Sequence, residues 1–180
     1  MKEFNLLIST QRGRENDCIS ELWYLFREIG DEKAIYEKTG IPGLIIVKSS
    51  LNPFEAVRRL REMAEERPWE FRYVLKVTPI EIVVSTDIKE IKEAVTKLKD
   101  KISPQETFRV TVNKRATTLS SMEIIEAAAS VINRKVNLKN PDKIIQIEVL
   151  GQVTGISIIE PQDILSITKI KDEFLRKMRE

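Results

Sequence analysis

The first half of the chain alternates short apolar runs with stretches of helical spacing. Residues 4–10, FNLLIST, predict a strand. Cys18, Ile19, Leu22, Trp23, Leu25, Phe26 and Ile29 then recur three and four apart, as one buried face of a helix does, before Gly30 ends it. Residues 33–39 and 43–48 predict two more strands around a turn at Gly40 to Gly43. Asn52 stands where a helix cap belongs, Pro53 suits the first helical position, and Glu55 takes the place of a capping-box acid. Phe54, Val57, Leu60 and Ala64 supply that helix's apolar stripe. Residues 69–77 predict a closing strand on which Trp69, Phe71 and Tyr73 alternate.

After Thr78-Pro79 the pattern changes. Asp87 and Glu90 frame a helix start, and Ile88, Ile91, Val95, Leu98 and Ile102 form its apolar face. Residues 107–115 predict a strand with Phe108, Val110 and Val112 on one side and Arg109, Thr111 and Asn113 on the other. Ser120 and Glu123 open a further helix with Met122, Ile125, Ala129 and Ile132 inward. Val136 and Leu138 alternate before the turn Asn140-Pro141-Asp142, and residues 144–150 and 153–159 predict a hairpin around Gly151-Gln152. A last amphipathic helix carries Ile167, Ile170, Phe174, Leu175 and Met178. The fold class that follows is α+β: a ferredoxin-like βαββαβ domain over residues 1–78, an α/β domain over 79–167, and a C-terminal helix over 168–180. RNA-recognition motifs share the first arrangement, but their stacking rings are missing here. The first and third strands offer Leu6, Leu7, Ile8 and Leu44, Ile45, Ile46, and the Trp69-Phe71-Tyr73 stripe reads as packing under the helices.

Composition narrows the chemistry. With 42% hydrophobic and 32% charged residues the chain belongs among folded proteins. No apolar run has the length of a membrane span, and the start reads without a signal-peptide cleavage site, so the expected compartment is the cytoplasm. There is no histidine, which removes the commonest general base and metal ligand and with them the familiar serine, cysteine and zinc hydrolases. The single cysteine, Cys18, lies on the apolar side of its helix and reads as structural. The six glycines form neither a dinucleotide fingerprint nor a phosphate-binding loop, and no carboxylate pair stands out as acid and base. No cofactor or metal is expected.

Net charge is only +2, so its placement matters more than its sum. Residues 1–79 carry thirteen basic and thirteen acidic side chains. Within residues 107–143, by contrast, Arg109, Lys114, Arg115, Arg134, Lys135, Lys139 and Lys143 face only Glu123, Glu126 and Asp142. These seven are the candidate RNA contacts, expected to converge once folded on the phosphates of an RNA backbone. Thr117, Thr118, Ser120 and the free amides of the helix start would add an anion site beside Lys114 and Arg115. Arg12 and Arg14, flanking Gly13, are a second candidate patch.

The segment 108–159, FRVTVNKRATTLSSMEIIEAAASVINRKVNLKNPDKIIQIEVLGQVTGISII, resembles a THUMP domain: a strand ending in NKR, a Ser-capped helix, a V-x-L-x-N-P-D strand and turn, then a hairpin. The segments FNLLISTQRGRE, RPWEFRYVLKVTPIEIV and ISIIEPQDIL resemble, more narrowly, the stand-alone branch that assists the tRNA cytidine acetyltransferase. The resemblance implies binding of the acceptor arm and CCA end of tRNA, with a ferredoxin-like neighbour beside the THUMP domain. Because the chain ends at Glu180, the expected role is a non-catalytic adaptor whose partner, the acetyltransferase, supplies the chemistry. The alternatives are a small RNA-modifying enzyme, a general RNA-binding protein with another modification partner, and a protein-interaction module using the final helix.

Overall fold

The computed structural model describes residues 3–180; the first two residues of the expected 1–78 domain lie outside the described residues. In chain order the elements are β1 (Leu6–Ser9), α1 (Glu15–Glu28), β2 (Ile35–Lys38), β3 (Leu44–Lys48), α2 (Pro53–Glu66), β4 (Lys76–Pro79), β5 (Ile82–Ser85), α3 (Ile88–Leu98), β6 (Thr107–Arg115), α4 (Ser121–Ser130), β7 (Lys135–Val136), β8 (Lys143–Leu150), β9 (Val153–Ile159), β10 (Leu165–Ser166) and α5 (Ile167–Arg179). The fold is α+β, as the hydrophobic pattern requires, and it divides into two compact units. One comprises Glu3–Pro79 together with Asp163–Glu180, the other Ile80–Gln162.

In the first unit the strands lie in the order β10-β4-β1-β3-β2, every pairing antiparallel. Leu6, Ile8, Ile45, Val47 and Val77 point into one core with Leu22, Leu25 and Phe26 of α1 and Val57, Leu60 and Ala64 of α2. Asn52 caps α2, its side-chain oxygen accepting from the Phe54 N–H at 2.9 Å. Glu55 has a different partner from the one its spacing suggests: its carboxylate accepts from the guanidinium groups of Arg58 and Arg59.

The expected strand over 69–77 forms only from Lys76 on. Pro68 has no N–H to donate, residues 68–70 make a single 3-10 turn, and the amides of Arg72, Tyr73 and Val74 donate to the carboxylate of Glu21 on α1 at 2.6, 2.9 and 2.7 Å. N–H groups held by a side chain are not available to a neighbouring strand. The aromatic stripe therefore splits: Phe71 is fully buried while Trp69 is 61% exposed.

Residues 163–180 also depart from the expected boundaries at 79–167 and 168–180. Leu165 pairs with Val77, and Leu165, Ile167 and Ile170 are buried in the first unit's core, so the chain returns there after finishing the second. Among the described residues no helix is long and apolar enough to cross a membrane.

The second unit has the strand order β5-β9-β8-β6-β7, with β6 parallel to β7 and β8 and the other pairs antiparallel. One face carries α3 and α4 over Phe108, Ile145, Ile147, Val149, Ile156 and Ile158. Asp87 caps α3 through the Glu90 N–H and Ser120 caps α4 through the Glu123 N–H. The face of α4 turned inward is that of Ile124 and Ala128, with Ile132 beyond, whereas Met122 is 60% exposed. Adjacent Ile124 and Ile125 in an alanine-rich helix permit two phases, and packing under α3 selects one. β5, only four residues long, is absent from the sequence reading because its half-exposed IVVS has no alternation to mark it.

Candidate nucleic-acid interface

β6 carries the central basic candidates, and its register shows how far apart they lie. Lys143 is aligned with Phe108, and Lys135 with Thr107, at the start of the strand. Arg115 is aligned with Leu150 at its end. At about 3.3 Å per residue, Lys114 sits roughly 20 Å along the strand from the Lys143 level. The seven basic side chains therefore divide between two ends of the sheet.

At the starting end most of them are held by the fold. Lys143, its side chain 15% exposed, donates to Glu106 at 2.6 Å, and this bond holds the Glu106 carboxyl below the usual carboxylate range. Arg134 donates to the carbonyls of Ile102 and Ser103 just past the end of α3, where a cation also suits the helix dipole. Arg109 donates to the Leu138 carbonyl at 3.0 Å and to Thr111. Lys135 and Lys139 are exposed.

At the far end Arg115 is committed as well. Its guanidinium donates to Oε1 of Glu148 at 2.8 Å, and Oε2 of that buried carboxylate accepts from Asn113 at 2.8 Å and Gln146 at 2.6 Å. An ionised group this deeply buried needs such partners. Arg115 therefore anchors the segment that leaves β6 and is not a free phosphate contact. Lys114, one residue earlier, is exposed and donates to the Leu119 carbonyl at 2.9 Å, which keeps its ammonium over the loop 116–120.

That loop forms one wall of a cavity of about 580 Å³ lined by Ser85, Thr86, Ala116, Thr117, Thr118, Gly151 and Gln152. Ala116 has φ 54°, a left-handed backbone that costs an alanine on the order of 1 kcal/mol and is found most often where a loop's shape serves a function. α3 begins just after Thr86, its first turn capped by the Asp87 carboxylate, and α4 begins just after the loop, capped by Ser120. The hydroxyls and the side-chain amide of the lining, with the Lys114 ammonium held on the same loop, suit an anionic, hydroxyl-rich ligand such as a sugar-phosphate chain. Ser85, Thr86, Ala116 and Gln152 escape sequence reasoning because they come from two strand ends and a hairpin turn. The only local signal is Gly151, which takes φ 65° at that turn.

In the first unit Arg12 and Arg14 are both exposed, before the start of α1. Arg14 pairs with Asp17 at 3.0 Å and its guanidinium lies 5.8 Å from the ring of Tyr73, which Arg72 approaches at 5.6 Å. Cys18 is buried in the core and burial pushes its thiol up to about 12, so it is no nucleophile. Among the described residues no three His, Cys, Asp or Glu side chains gather as a metal-holding group.

The domain class matches this geometry: residues 85–159 match the THUMP domain family, so the chain carries a THUMP domain. The matched stretch contains the whole lining of the 580 Å³ cavity. Over 171 residues the chain is 30% identical to an uncharacterized protein of Methanocaldococcus jannaschii, covering 92% of this chain and 43% of that one. Solved structures with the same fold include PH1313 from Pyrococcus horikoshii (TM-score 0.61, 17% identity, 91% of this chain and 55% of that one). TrmN from Thermus thermophilus is another (0.58, 16%, 85% and 44%). A third is a 4-thiouridine synthetase in complex with RNA and ATP (0.57, 15%, 91% and 42%). The chain thus spans about half the length, or less, of the proteins it is similar to.

Proposed function

We propose that this protein binds tRNA through the loop 116–120 side of its THUMP domain and presents it to a separate modifying enzyme, a tRNA cytidine acetyltransferase, without catalysing a reaction itself. The observation that carries the reading is that the THUMP match contains a cavity walled by the strained loop 116–120, with hydroxyls of Ser85, Thr86, Thr117 and Thr118 in its lining and Lys114 held to the same loop at Leu119. The likeness of fold to a 4-thiouridine synthetase–RNA complex supports RNA as the ligand. The acceptor arm and CCA end follow from the family resemblance of residues 108–159, and the acetyltransferase from the segments at 4–15, 67–83 and 156–165. A chain without histidine whose cavity is lined by no carboxylate, thiol or amine side chain is better suited to holding RNA than to transferring protons on it.

Binding measured over a salt series tests the first half: tRNA should bind with a steep salt dependence and duplex DNA of equal length far more weakly. Equal affinity for both, or none for either, would sink it. Nucleoside mass spectrometry tests the second half. Acetylcytidine should appear only when the protein, tRNA, acetyl donor and a tRNA cytidine acetyltransferase are combined. Modified nucleoside formed by this protein alone would instead make it an enzyme.

A further inference from the structure

α5 buries only half of its apolar stripe. At about 3.6 residues per turn, Ile167, Ile170, Phe174 and Met178 share one face. Ile167 and Ile170 are buried in the core of the first unit, but Met178 is 71% exposed and Leu175 beside the stripe is exposed too. The exposed Trp69 extends the surface, its ring 6.2 Å from that of Phe174 in an edge-to-face arrangement. Trp69, Phe174, Leu175 and Met178 thus make one patch that the unit's own core leaves open. Such a patch marks a place where another surface packs, and aromatic and methionine side chains are enriched at the centres of such interfaces.

The charges along the patch indicate what that surface is. Glu173 and Lys177 lie on the same border of the stripe, one turn apart, and among the described residues neither makes an ion pair within 4 Å. If a second α5 lies antiparallel across the stripe, a two-fold axis near Leu175 sets each Glu173 opposite the other copy's Lys177, twice over. The same operation sets the two copies of Phe174 beside each other and brings each Met178 level with the stretch between Ile170 and Phe174 of the other copy. A surface that complements itself under a two-fold rotation is what an isologous dimer requires. An RNA strand would meet the basic side chains of α5 but gains little from the apolar stripe of Phe174, Leu175 and Met178.

We infer that the exposed half of α5, with Trp69, is a homodimer interface in which two copies of this chain pack antiparallel through Phe174 and Met178, flanked by reciprocal Glu173–Lys177 pairs. The interface is independent of the RNA-binding reading.

Sedimentation equilibrium of the full chain from low micromolar to millimolar concentration tests it, with circular dichroism as a control that each variant folds. The unaltered protein should associate to a dimer and no further. Met178→Glu, at an exposed position, should raise the dissociation constant at least about tenfold by burying an unpaired charge. Lys177→Glu should also weaken the dimer, by setting two acids opposite each other, and adding Glu173→Lys should restore it by swapping the pair. A protein that stays monomeric throughout the range overturns the inference. So does a dimer indifferent to Met178→Glu, or one that the charge swap does not rescue. Loss of tRNA affinity in Met178→Glu with no change in mass would assign the patch to RNA instead.

Discussion

At the scale of single residues, what matters about a basic side chain is the partner the fold gives it. Arg115 and Lys143 look in the sequence like Lys114, yet the first is tied to buried Glu148 and the second to Glu106. Neither partner is near in sequence. The candidate list was therefore legible as a group of cations, while the distinction between structural and available ones was not. Replacing Lys114 by Ala should weaken binding to many tRNAs by a similar factor and reduce the salt slope by about one, since a phosphate contact carries no sequence code. Lys143→Ala should leave the slope unchanged and lower stability by about 1–2 kcal/mol, because Glu106 loses a partly buried partner. Salt-dependent binding together with urea denaturation separates the two, and a slope that responds equally to both substitutions would mean the sheet's two ends share one RNA site.

At the scale of elements, local rules worked where local chemistry decides. The caps at Asn52, Asp87 and Ser120 stand at the helix starts the sequence predicts, since each satisfies an N–H two or three residues away. They failed at residues 69–77, where Glu21, fifty-one residues earlier than Arg72, takes three backbone donors in a row. The carboxylate is what shapes that loop. Glu21→Ala should accordingly cost about 3 kcal/mol, on the order of 1 kcal/mol or more for each N–H left without its acceptor. Hydrogen exchange should accelerate at Arg72, Tyr73 and Val74 before it does in β1 or β3. A loss below about 1 kcal/mol, with those amides still protected, would show that the loop holds its shape without the carboxylate.

For the whole molecule, the return of residues 163–180 to the first unit is the feature with the largest consequence. Removing residues 165–180 takes Leu165, Ile167 and Ile170 out of that core, about 6 kcal/mol of apolar burial, which is comparable to the total stability of a small domain. Hydrogen exchange should then show protection lost across β1, β3 and β4 while β6 and β8 remain protected. Equal loss in both units would mean that they unfold as one. The sequence by itself determined the α+β class, the helices with their caps and most of the strands, because periodicity and capping are local and are repeated over many residues, and the resemblance of residues 108–159 pointed to the THUMP domain. Only the tertiary structure decided which cations are free, how the lining of the polar cavity is assembled from two strand ends and a turn, and where the last helix belongs. Those depend on pairings between residues tens of positions apart, which no local pattern records.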